Sequence, residues 1–98
     1  MDKNLSKLAK KLQDLNKQAY NEYKPRVDDI IVNKRTSQKE VEWLLSQMLD
    51  FCFDDKVLSL FKTLCRYYWD INPQATVDYI RYYREMWEEE SQNLDTNG

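Results

Sequence analysis

The sequence predicts an all-α protein, an up-and-down antiparallel bundle of four helices, and three observations carry that prediction. Apolar residues recur at spacings of three and four along four separate segments, the mark of helices with one buried face. The only glycine is Gly98, so tight primed hairpins, phosphate-cradling loops and dinucleotide fingerprints, all of which lean on positive φ, have no residue to build them. The connections at 34–37, 53–55 and 71–73 are short, which makes consecutive helices antiparallel neighbours.

The first segment places Leu5, Leu8, Leu12, Leu15 and Ala19 on a heptad stripe, which Tyr23, Val27 and Ile30 continue after one extra four-residue step, a stutter. Pro25 lies inside this run. It removes a backbone donor and its ring crowds the carbonyl of Asn21, so a kink or break is expected there. A break makes the bundle five-helical, with Pro25 opening a short second helix through about Asn33. Ser37-Gln38-Lys39-Glu40 reads as a capping box for the next helix. Val41, Leu44, Leu45, Met48, Leu49, Phe51 and Cys52 form its apolar arc, and Trp43 falls on the opposite, polar side. Asp54 or Asp55 is expected to cap a third helix. Its apolar arc, from Val57 and Leu58 through Phe61 and Tyr68 to Ile71, spans about 200° and marks a central helix contacted from more than one side. Asn72 as N-cap and Pro73 at the first helical position then open the fourth helix. It is expected to fray after Glu90.

With 98 residues, 42% apolar and 33% charged, the chain has material for one core and a solvated surface. A single domain is expected over 1–91, followed by a disordered tail over 92–98. No stretch approaches the roughly 18 apolar residues of a membrane span, and the first eleven residues lack a secretory apolar region. A cytoplasmic location follows as the expectation. Cys52 and Cys65 fit a reducing compartment as small buried hydrophobes. They are also expected to sit about 15 Å apart along the bundle, too far for a disulfide.

The chemistry-bearing residues exclude more than they assign. Histidine is absent and cysteine occurs twice, so the usual zinc sets and the Glu-x-x-His di-iron motif cannot be assembled in one chain. Carboxylates cluster at 28–29, 54–55 and 88–90, but adjacent helical residues diverge by about 100° and form no paired acids. No catalytic residue, metal site or cofactor is expected, and the chain reads as a non-enzyme.

Two surfaces remain. Lys3, Lys7, Lys10, Lys11 and Lys17 cluster opposite the first helix's leucines, and residues 1–35 carry about +4 against −6 for the rest. This is either an ordinary solvated face or a nucleic-acid-binding one; lysines without interleaved arginines and an acidic chain argue against specific readout. The second surface is aromatic. Tyr68, Tyr83 and Trp87 lie inside their arcs and are assigned to packing, whereas Trp43, Tyr67, Trp69 and Tyr82 stand at or beyond arc edges and form the predicted partner-binding set. The leading functional expectation is a small non-catalytic protein-interaction module of the inhibitor, immunity or adaptor type. A nucleic-acid-binding protein using the basic first helix is the second reading. A homo-oligomer built on the 5–19 stripe is the third.

Overall fold

In a computed structural model, which describes residues 2–88, the chain is an all-α bundle. Helix α1 spans Asp2–Val32, α2 Gln38–Leu49, α3 Asp55–Trp69 and α4 Pro73–Tyr83, and α4 runs directly into a π-helical turn over Arg84–Glu88. The tail predicted over 92–98 lies outside the described residues. Each helix runs antiparallel to the one before it. Arg35 lies beside Glu40 at one end of the α1–α2 pair and Tyr23 beside Phe51 at the other. The Tyr68 hydroxyl, near the end of α3, donates to Glu42 Oε2, near the start of α2, at 2.7 Å. Phe61 stacks on Tyr83 across α3 and α4.

Helix α3 contacts all three others, as its wide apolar arc predicts, while α1 and α4 flank the α2–α3 pair without touching each other. The molecule measures 49 × 35 × 17 Å, so it is about two helices thick, and α1 alone, at about 1.5 Å per residue, accounts for the long axis. The core joins Tyr23, Val27 and Ile30 of α1 to Val41, Leu44, Leu45 and Met48 of α2 and to Val57, Phe61, Leu64 and Tyr68 of α3. Helix α4 contributes mainly Thr76, with Ala75, Tyr79 and Tyr83, and Trp87 of the π-helical turn, half-buried against the core.

Local chemistry explains the helix ends. Ser37 Oγ accepts from Glu40 N at 3.3 Å, so the N-cap is present. The reciprocal half of the capping box is not, because the Glu40 carboxylate turns to Arg35. Asp54, rather than Asp55, caps α3 by accepting from the amides of Lys56 and Val57, both at 3.1 Å. Asn72 caps α4 through Ala75 N.

The expectation that Pro25 breaks or ends the first helix is overturned: α1 continues through it for 31 residues, and no fifth helix opens there. Pro25 and Asn21 both lie on the exposed side, where water reaches the carbonyl that loses its donor. Tyr23, Val27 and Ile30, on the other side, are buried by keeping the rod continuous.

Helix α1 ends in a Schellman motif without glycine. Arg35 N donates to Ile30 O at 2.9 Å and Lys34 N to Ile31 O at 3.2 Å, which requires the left-handed conformation at Lys34, found with φ of 52°. A β-carbon there costs about 1 kcal/mol relative to glycine. Lys34→Gly is therefore expected to raise the unfolding free energy by roughly 0.5–1 kcal/mol, read from urea denaturation; a loss of stability would contradict it.

Cys52 and Cys65 are free and buried. Burial pushes both thiols up to about 12 from 9.0. Tyr68 is likewise pushed up to about 12 from 10.0, by burial and then by its bond to the Glu42 carboxylate. All three resist ionisation when folded, so their contribution to stability is intact below about pH 9 and is lost as the pH climbs towards 12. The urea midpoint is expected to start falling at about pH 9 and to fall faster past pH 10. A midpoint that stays flat to pH 11 would contradict this assignment.

Candidate functional site

An apolar groove of about 630 Å³ lies between α3 and α4. It exists because α3 carries more apolar arc than its neighbours cover. Leu58, Phe61, Cys65 and Trp69 advance along α3 by three and four residues, and α1 and α2 occupy the other sides of that helix. Helix α4 supplies the facing wall with Thr76, Ile80 and Tyr83. Phe61, Cys65 and Thr76 are buried and form the floor. Trp69 and Ile80 stand up from it, 49% and 39% exposed. Lys62 and Arg66 border the groove and make no ion pair among the described residues, while Arg84 on the opposite rim pairs with Glu88 at 3.6 Å.

The four aromatic residues predicted as a partner-binding set do not converge. Only Trp69 lies in this groove. Tyr67 is half-buried, and its hydroxyl donates to the Arg35 carbonyl at 2.8 Å, tying α3 to the end of α1. Trp43 is half-exposed on α2 with the Arg26 guanidinium of α1 stacked over its ring, 5.4 Å from the centroid. It also lines a shallow depression with Glu42, Ser46 and Tyr79, and Tyr82 is packed edge-on against Tyr79 at 5.5 Å. Trp43 and Tyr82 thus belong to the α2–α4 side.

The predicted set omits every other groove residue, Leu58, Ile80 and Tyr83 on its open sides among them. The signal for Leu58 was the 200° arc of α3, whose width exceeds what its neighbours bury; nothing in that arc pointed to Ile80 and Tyr83 on α4. Trp87 is half-buried, and it serves packing as expected: the π-helical turn brings its indole N–H onto the Leu49 carbonyl at 2.8 Å and its ring 5.5 Å from Phe53. The widened i→i+5 register is what re-aims the side chain.

The second surface is the first half of α1. Leu5, Leu8, Leu12 and Leu15 are 62%, 62%, 49% and 53% exposed, and burial of the stripe begins only at Ala19. Residues 3–18 bury no whole side chain, although Gln13, Asn16 and Lys17 border a crevice with Asp54 and Lys56 at the start of α3; Lys3, Lys7, Lys10, Lys11 and Lys17 are all exposed and outside any ion pair among the described residues.

Among the described residues no group of three or more acids and cysteines is placed to bind a metal ion, burial pushes both thiols up to about 12, and no helix is long and apolar enough to cross a membrane. No protein-family model, curated protein or solved structure matches this chain.

Proposed function

We propose that this chain is a non-catalytic interaction module of the inhibitor, immunity or adaptor type that takes an amphipathic helix of a protein partner into the α3–α4 groove. The observation that carries the reading is Trp69, half-exposed at the edge of an open apolar groove whose floor is the core itself. A large aromatic beside a preformed concavity is the arrangement in which interface energy concentrates, and a groove between two helices suits a third helix presenting residues at three- and four-residue steps. Lys62 and Arg66 along one rim favour acidic flanks on that helix. The cytoplasm is part of the same reading, because two free thiols persist where disulfides are kept reduced.

A photo-crosslinking amino acid at position 69 tests it. In a lysate of the native host it is expected to yield a discrete cross-linked band, which the same probe at Tyr82, on the other side of the bundle, does not yield. Trp69→Ala combined with Ile80→Glu should abolish partner capture while leaving the thermal midpoint within a few degrees, since neither side chain is buried. Equal cross-linking from both positions, or none from 69, removes the groove reading.

A further inference from the structure

We propose that the leucine stripe of the α1 arm, residues 3–18, pairs with the same stripe of a second copy of this chain, the two arms running antiparallel about a twofold axis beside residue 10. Four leucines, 49–62% exposed on one helical row, form a contiguous apolar patch of roughly 400 Å², the size at which such patches mark interaction sites. A helix of about seventeen residues standing alone in water is marginal, so an arm of this length that buries no whole side chain needs a partner to persist.

The stripe itself says what kind of partner. It is confined to the two core positions of the heptad, a narrow seam rather than the broad face that a globular groove receives. Its flanking positions hold Asn4, Ala9, Asn16 and Gln18, with Lys11 as the one charge among the described side chains there. The remaining lysines are turned to the far side. Pairing two such helices therefore desolvates almost no charge, and neutral flanks raise no barrier between identical chains.

The fold then selects the orientation. From Ala19 onward the same stripe is covered by the chain's own α2 and α3. Parallel pairing would drive one bundle into the other. Antiparallel pairing brings Leu5 against Leu15 of the second copy and Leu8 against Leu12, and the incoming arm ends where the bundle begins, continuing the cover along the stripe. Two arms about 25 Å long bury roughly 1,000 Å² in total, the lower end for a specific interface, which points to a dimer that dissociates in the micromolar range.

Sedimentation of the full chain is expected to give twice the 11.9 kDa chain mass at about 100 μM, shifting towards the single chain near 1 μM. Leu8→Glu with Leu12→Glu should weaken dimerisation at least about a hundredfold while leaving the near-ultraviolet dichroism of the bundle aromatics unchanged, because neither leucine is in the core. Disulfide trapping reads the orientation: Leu5→Cys chains should cross-link to Leu15→Cys chains, and neither to itself, the native thiols being buried. A single-chain mass at 100 μM, a dimer that survives the double substitution, or self-linked Leu5→Cys chains would each overturn the proposal. None of these outcomes depends on Trp69 or Ile80.

Discussion

Leu64→Ala is expected to lower the unfolding free energy by about 3–5 kcal/mol, enough to consume much of the 5–15 kcal/mol typical of a domain this size. Leu64 is fully buried at the middle of α3, the helix that touches all the others. Truncation removes the transfer free energy of its methyl groups and leaves a cavity that three packed helices cannot close, which is why the cost exceeds burial alone. At about 4–8 °C per kcal/mol the melting temperature should fall by roughly 15 °C or more. Leu8→Ala is the matched control. The same side chain lies 62% exposed on the arm, and at low micromolar concentration its removal should change the bundle's stability by no more than about 0.5 kcal/mol. Comparable losses from the two substitutions, followed by circular dichroism, would contradict the burial assigned to them.

That pair also marks where the sequence stops being legible. Leu8 and Leu64 belong to apolar rows of equal quality, and periodicity reports that a face is apolar without reporting what covers it. The elements themselves were readable because their signals are local. Ser37 before Val41, Asp54 before Val57 and Asn72-Pro73 each fix a helix start through bonds to amides two or three residues away. The candidate groove was readable only as an excess, the width of the α3 arc, since its second wall of Ile80 and Tyr83 comes from another helix. Trp43 was legible as lying off the core arc, but the Arg26 that covers its face is seventeen residues away on α1. The absence of internal glycine agreed with the all-α fold. It did not reveal that a lysine, Lys34, would take the one positive φ that the end of α1 requires.

Pro25 is the clearest case of tertiary structure overriding a local rule, and replacing it has the second large expected effect. Pro25→Ala should raise the unfolding free energy by about 1–2 kcal/mol. In a helix interior alanine is favoured over proline by about 3 kcal/mol, because it restores a donor to the carbonyl four residues back and relieves the ring's contact with it. Two circumstances here reduce that figure. Asn21 and Pro25 face solvent, so water already meets part of the carbonyl's demand, and proline restricts the unfolded chain by about 0.4–1 kcal/mol, which alanine gives up. What holds the helix through Pro25 at present is burial on the opposite side. Tyr23, Val27 and Ile30 are 6%, 1% and 2% exposed, and each large apolar side chain removed from water contributes about 1.5–3 kcal/mol, more in sum than the proline costs. The order of effects follows. Pro25→Ala should raise the melting temperature by roughly 5–10 °C, whereas Val27→Ala in the wild-type background should lower it, through lost burial and the cavity left behind. Far-ultraviolet dichroism should show no gain in helix for Pro25→Ala at low temperature, because the helix is already continuous there. A clear gain in helical signal would mean that the proline interrupts α1 after all, and an unchanged melting temperature would mean that the missing bond to Asn21 carries no cost.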